Sequence, residues 1–149
     1  HLKDFRYQVL LGDTKAVEKR LKAQEPVRCP KCFYWACSVQ QEDVVEVMLK
    51  HGRGKIDFNH GQRRGRIYAT GYYWACYFEK ENNIKRMITE KAEELEINLE
   101  LHKVKILRKK IDGKFVTVFD RADKVDRATN LPENFQFQES EYQSYFTYD

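Results

Sequence analysis

The chain carries an internal repeat that limits the folds it can adopt. The block Phe-Tyr-Trp-Ala-Cys at residues 33–37 recurs as Tyr-Tyr-Trp-Ala-Cys at residues 72–76, 39 positions later. Each copy is followed by a polar segment and then by apolar residues spaced one, three and four apart, which predicts an amphipathic helix. The unit is therefore predicted to be two helices joined by a short turn. Because one such pair cannot bury its apolar face alone, neighbouring pairs should stack.

The unit resembles the ankyrin repeat, whose period is about 33 residues, with an insertion in the connector. The Ala-Cys pairs at 36–37 and 75–76 match the small residues of the first ankyrin helix. Residues 44–49 match the apolar face of the second helix, and 56–59 resemble the closing motif. Gly52 matches the C-terminal cap of that helix, where a left-handed backbone is expected.

The resemblance extends to an earlier, degenerate unit and also has clear departures. Residues 5–24 fit a terminal capping repeat with a turn at Gly12 and Asp13. The Thr-Pro-Leu-His block of the family is absent, and Tyr34 and Tyr73 stand where its His would be. Within the two later units, the Ala-Cys pairs are predicted to be buried between helices.

The resemblance implies a mainly all-α fold, an ankyrin-like stack of helix–turn–helix repeats over residues 1–101. Its units are expected at about 1–30, 31–69 and 70–101. Residues 102–131 are predicted to form a C-terminal capping segment. They are followed by an acidic, aromatic tail, 132–149, with four acids, six aromatics and no Lys or Arg.

The capping segment has two interpretations. Asp112-Gly113 between runs of β-branched residues indicates a β-hairpin. The other interpretation has a long final helix over 90–110, a turn at Asp112-Gly113 and a capping helix over 117–127. A lone hairpin is marginal in water, and an all-helical stack offers it no sheet to join. The helical interpretation is therefore favoured, with one short β-hairpin as the alternative.

The connector between the two later units is the leading candidate for a binding site. Residues 53–66 contain five basic residues and one acid, and they correspond to the ankyrin finger, which commonly contacts partners. Exposed aromatic residues beside arginine are typical of interaction hot spots. The predicted partner-binding residues are Arg53, Lys55, Arg63, Arg64, Arg66, Tyr72 and Tyr77. The expected function is that of a non-enzymatic adaptor or inhibitor, binding an acidic protein surface through the concave repeat face and this finger.

Nucleic-acid binding is the alternative function. It would use the basic patches around 53–66 and 103–110, and the nearby aromatic residues would favour single strands. The balance of 27 Lys and Arg against 23 Asp and Glu, together with the acidic tail, argues for a protein partner instead.

The four cysteines are expected to be reduced thiols in a cytoplasmic or nuclear protein. Cys29 and Cys32 are the candidate metal ligands by spacing, but a structural zinc site requires a second such pair, so no metal is expected. A thioredoxin-like redox site would require a βαβ context, which the sequence does not predict. No phosphate-binding loop, nucleophile elbow or membrane span is recognised, so neither an enzyme, a cofactor nor a membrane partner is expected.

Overall fold

Helices dominate the described part of the chain, and a small sheet accompanies them. The computed structural model describes residues 4–64, 67–97, 104–120 and 122–124. The helices are α1 (Phe5–Leu11), α2 (Thr14–Lys22), α3 (Cys32–Ser38), α4 (Glu42–His51), α5 (Gly71–Tyr77) and α6 (Ile84–Glu94). The strands are β1 (Gly61–Arg64), β2 (Ile67–Thr70), β3 (Val104–Ile111) and β4 (Lys114–Asp120), and a 3-10 helix covers Ala122–Lys124. The mainly helical class predicted from the sequence is confirmed for these residues.

The six helices form three consecutive pairs. Short connections join α1 to α2, α3 to α4 and α5 to α6, and the two helices of each pair contact each other. In addition, α3 contacts both α1 and α5, while α4 contacts both α2 and α6. First helices therefore pack against first helices and second against second, and the buried side chains of all three pairs belong to one core.

The first helices come close together because small residues lie where they meet. Ala36, Cys37 and Ala75 are fully buried, and Cys76 is 4% exposed. A β-carbon at Gly71, the first residue of α5, would lie only 3.1 Å from the Cys37 Sγ. The prediction that the Ala-Cys pairs are buried is confirmed, and the close packing of α3 and α5 explains their size.

Polar contacts between turns join successive helix pairs. The Gln41 side-chain amide, at the turn before α4, donates to the Leu10 carbonyl oxygen at the end of α1, at 2.9 Å. In the same way, the Asn82 amide before α6 donates to the Gln40 side-chain oxygen at 3.0 Å. Turn residues therefore contribute to the contact between neighbouring pairs as well as ending the helices.

The prediction of a left-handed backbone at Gly52 is wrong. This residue ends α4 with φ −92°, in the right-handed region. A glycine is nevertheless required, because a β-carbon there would overlap the Met48 carbonyl oxygen and the Ile56 side chain. The left-handed cap occurs instead at Gly12, where φ is 75°. Asp13 then accepts a backbone hydrogen bond at the start of α2, which places the predicted first turn correctly.

The four strands form one antiparallel sheet in the order β1-β2-β3-β4. The connector after α4 supplies the β1–β2 hairpin, and residues 104–120 supply the β3–β4 hairpin. Asp112 and Gly113, with φ of 51° and 80°, form the two-residue turn of the second hairpin, as the Asp-Gly signal indicates.

The favoured helical interpretation is therefore wrong for residues 104–120. Helix α6 ends at Glu94, and Val104–Ile111 and Lys114–Asp120 are strands on either side of the Asp112-Gly113 turn rather than helices. The physical reason is that β2 lies beside β3, with Ile67 opposite Ile106. The second hairpin thus joins a sheet that the connector provides, and it does not stand alone. Residues 125–127 of the expected capping helix lie outside the described residues.

Candidate protein-binding surface on the antiparallel sheet

The β1–β2 hairpin presents an arginine and a tyrosine as neighbours. Arg63 on β1 is directly opposite Tyr68 on β2. Arg63 is exposed, and Tyr68 is 42% exposed, which is unusual for so large an aromatic residue in the described part of the chain. A β-carbon at Gly61 would overlap the Tyr68 ring, so the ring lies across this glycine. The absence of a side chain at Gly61 thereby leaves room for the Tyr68 ring against β1.

The sheet also brings the two basic segments of the sequence together. Lys105 on β3 is opposite Tyr68 in the β2–β3 register. Arg63, Tyr68 and Lys105 therefore occupy one row across three adjacent strands. One position of each basic segment, Arg63 from the first and Lys105 from the second, therefore lies on this row, which we call the Tyr68 row.

Two predicted binding residues lie in the connector before β1 and have contacts within the chain. Arg53 is 64% exposed at its side chain and lies 3.7 Å from the Glu96 carboxylate. The Lys55 ammonium donates to the Ala23 and Glu25 carbonyl oxygens, beyond the end of α2. Lys55 therefore attaches the connector to the first helix pair, while Arg53 stays accessible to a partner.

The remaining predicted binding residues fall into different environments. Arg64 is the last residue of β1 and continues the hairpin beyond Arg63. Arg66 lies outside the described residues. Tyr77 is half-buried, with its ring centroid 4.8 Å from that of Phe78. The prediction that Tyr72 is partly exposed is wrong, because it is 4% exposed and belongs to the core.

Tyr68 is the residue that the sequence analysis missed. Its signal was present: Ile67, Tyr68 and Thr70 are residue types with high strand propensity, and they follow a basic segment containing glycine. Because the resemblance places this segment in the ankyrin finger, its side chains are not predicted to alternate between the two faces of a strand. The aromatic residue predicted to bind is Tyr72 instead, four residues later.

The charge near the hairpin comes from arginine and lysine rather than histidine. His60, just before β1, has its ring edge-on to Tyr34, with 6.4 Å between ring centroids. Burial lowers the pKa of His60 below its usual value, and nearby Asp57 only partly opposes this effect. His60 is therefore neutral at pH 7, and its ionisation does not contribute to the surface there.

The expectation of four reduced cysteines is wrong for one pair. Cys29 and Cys32 form a disulfide, and their Cα atoms lie 5.5 Å apart, within the range that a disulfide spans. Cys37 and Cys76 are free and buried, as expected. The candidate metal ligands are thus joined to each other. Among the described residues, no group of three or more His, Cys, Asp or Glu side chains is placed to hold a metal ion.

The comparisons with known proteins give no match. Neither a family model, nor a curated protein sequence, nor a solved structure matches the chain. Within the described ranges, the longest helix is α6 with 11 residues, and no helix there has the length and apolar character needed to cross a membrane. The function is therefore inferred from the arrangement of the chain's own residues.

Proposed function

We propose that this protein is a non-enzymatic interaction module that binds an acidic protein surface through the Tyr68 row and its neighbouring arginines. The observation that carries the proposal is the strand register, which aligns an exposed tyrosine with basic positions on both adjacent strands. The three helix pairs act as the rigid scaffold of this surface. A cytoplasmic or nuclear setting remains part of the proposal, although one of its grounds, four reduced thiols, does not hold.

The scaffold is proposed to be a divergent ankyrin-type stack. Its support is the pairing of the helices, the burial of the small Ala-Cys pairs of α3 and α5, and the close approach of Cys37 to Gly71. The β1–β2 hairpin follows α4 and precedes α5, as the finger does in ankyrin repeats. Here the finger pairs with β3, which extends it into a sheet and fixes its orientation more firmly than a free loop would.

The composition of the Tyr68 row suits protein recognition. Tyrosine and arginine are the residue types most enriched in binding hot spots, because they combine a large contact area with hydrogen-bonding groups. Positive charge around them should accelerate encounter with an acidic surface. Since β1 is the terminal strand of the described sheet, a partner segment could also pair along its outer edge.

Binding of single-stranded nucleic acid is the second candidate function. The observation in its favour is also the Tyr68 row, because an exposed aromatic ring between basic strands is a platform on which a base could stack. The near balance of 27 basic and 23 acidic residues favours the protein partner. The two candidates differ in how their affinities depend on salt and on the type of probe.

Fluorescence anisotropy with two labelled probes tests the proposal. The probes are a short peptide rich in Glu and Asp and a single-stranded oligothymidine. The variant changes Arg63, Arg64 and Arg66 to Gln. We expect it to bind the peptide about tenfold more weakly, because each lost ion pair contributes a fraction of a kcal/mol to about 1 kcal/mol. Its melting temperature should be nearly unchanged.

The matched control changes Lys15, Lys19 and Lys80 to Gln, which removes the same charge from exposed positions outside the sheet. This control should retain most of the affinity, and Tyr68→Ala should lose affinity without any change in charge. Equal losses in the two triple variants would contradict a localised site. Tight binding of the oligonucleotide alone, with a steep linear salt dependence, would favour the nucleic-acid alternative.

A further inference from the structure

The Cys29–Cys32 disulfide lies at the entrance to α3 and borders a cleft of about 160 Å³. We propose that this disulfide is a thiol-exchange site, and that the cleft selects small thiols that carry carboxylate groups, of which glutathione is the prototype. The proposal is independent of the Tyr68 row, because the cleft and the sheet share no residue.

The two cysteines of the disulfide differ in exposure, and this difference determines which sulfur an incoming thiolate can attack. Cys29 is 8% exposed and lines the cleft, whereas Cys32 is completely buried as the first residue of α3. An incoming thiolate can therefore approach the Cys29 sulfur from the cleft. The Cys32 sulfur is the leaving group in that reaction, because attack proceeds along the axis of the bond that breaks.

The cleft is positively charged beside this disulfide. Arg6, Arg28 and Lys31 line it together with Cys29, and Asp4 is the one acid among its lining residues. Asp4 lies 3.7 Å from the Arg6 guanidinium, so its charge offsets one of the three cations. With three basic residues and one acid among the residues that line it, the cleft would attract the carboxylates of a small thiol, and the thiolate itself, toward Cys29.

The chemistry is a balanced exchange. The thiolate of the small thiol attacks the Cys29 Sγ, the Cys29–Cys32 bond breaks, and Cys32 leaves as a thiolate that takes up a proton. The thiolate of a second small thiol then attacks the small-thiol sulfur of the mixed disulfide, the bond to the Cys29 Sγ breaks, and the oxidised dimer of the small thiol is released. The Cys29 thiolate then takes up a proton. Overall, two small thiols are oxidised and the protein disulfide is reduced to two thiols.

The other two cysteines are not suited to this reaction. Cys37 is completely buried, and this burial raises the pKa of its thiol far above its usual value. Burial also raises the pKa of Cys76 to about 12. Because the thiolate is the reactive form, both thiols should stay inert at neutral pH, so any exchange observed in the folded protein reports on Cys29 and Cys32.

The test measures the rate of disulfide reduction in the folded, full-length protein. Glutathione is compared with 2-mercaptoethanol, a thiol without carboxylates, at equal thiolate concentrations. Arg28→Gln and Lys31→Gln are combined in the test variant, and Lys80→Gln with Lys15→Gln is the matched control outside the cleft. The rate with 2-mercaptoethanol in each variant serves as an internal measure of access to the disulfide.

We expect the test variant to react with glutathione about threefold or more slowly than the wild type, with an unchanged 2-mercaptoethanol rate, since only the charge near Cys29 differs. In Cys32→Ser, mixing with oxidised glutathione should give a mixed disulfide located at Cys29 by mass spectrometry. The proposal is overturned if the ratio of the two rates is the same in all variants. It is also overturned if the disulfide opens only at the rate of global unfolding, independent of thiol concentration.

Discussion

Replacing Trp74 by alanine should lower the free energy of unfolding by about 3–5 kcal/mol, the range typical for removing a buried tryptophan. Trp74 is completely buried, and its ring lies 5.5 Å from Tyr77 and 6.2 Å from Phe78, between centroids. Its indole nitrogen also donates to the Tyr34 hydroxyl oxygen at 2.8 Å, which joins α5 to α3. The substitution removes this hydrogen bond and leaves a large cavity between two helix pairs.

Urea denaturation followed by circular dichroism measures this effect. A small domain has only about 5–15 kcal/mol of stability, so this loss should be a large fraction of the total and should lower the urea midpoint clearly. Leu11→Ala is the control, because Leu11 is 67% exposed and its loss should change stability by no more than about 0.5 kcal/mol. Similar unfolding midpoints for the two variants would show that Trp74 does not hold the helix pairs together.

Enlarging the small residues of the repeat should also destabilise the protein. Ala36→Leu and Ala75→Leu are each expected to lower the free energy of unfolding by about 1–3 kcal/mol, because extra methylene groups overpack a close helix contact. Both alanines are fully buried, and the facing helices α3 and α5 already contact each other closely at Gly71. The two positions are equivalent in the repeat, so their effects should be similar.

Thermal melting of the two variants provides the measurement. Ala23→Leu is the matched control, since Ala23 is exposed at the end of α2 and has room for a larger side chain. We expect both core variants to melt well below the control. If Ala36→Leu and Ala75→Leu melted with the wild type, the equivalence of the two helix pairs would be contradicted.

The helical part of the fold was predictable because its signals are local. The two aromatic–Ala–Cys blocks and the apolar spacing after each of them place four of the six helices, α3 to α6. The small residues also predicted their own burial, since a large side chain would separate the helices. These features depend on residues within one or two turns of each other, which a sequence displays directly.

The sheet was less predictable because strand pairing is not local. The Asp112-Gly113 signal was correct, but its hairpin needs a neighbouring strand to be stable. That strand, β2, lies more than thirty residues earlier in the sequence, opposite β3. The strand-forming residue types at 67–70 do not by themselves specify a partner strand, so the ankyrin resemblance predicts only a finger for the basic segment.

The errors at single residues have a common cause. Tyr68 and Tyr72 both lie close to arginines in the sequence. Tyr68 is exposed on β2, opposite Arg63, whereas Tyr72 is buried in the first turn of α5. Gly52 shows the same limit, because a β-carbon there would overlap the Met48 carbonyl oxygen and the Ile56 side chain, whereas its own backbone angle would allow other residues. The oxidation of Cys29 and Cys32 likewise depends on the distance that the loop before α3 imposes.

Affinity capture from a cell extract, with and without nuclease treatment, tests the proposed function most directly. The immobilised wild type is compared with the Arg63, Arg64 and Arg66 to Gln variant and with the Lys15, Lys19 and Lys80 to Gln control, by quantitative mass spectrometry. We expect one or more acidic proteins to bind both the wild type and the control. They should elute with salt, because salt screens ion pairs at the surface. They should also be depleted several-fold on the arginine variant. Binding that is equal on all three proteins, or that disappears with nuclease treatment, would contradict an acidic protein partner at the Tyr68 row.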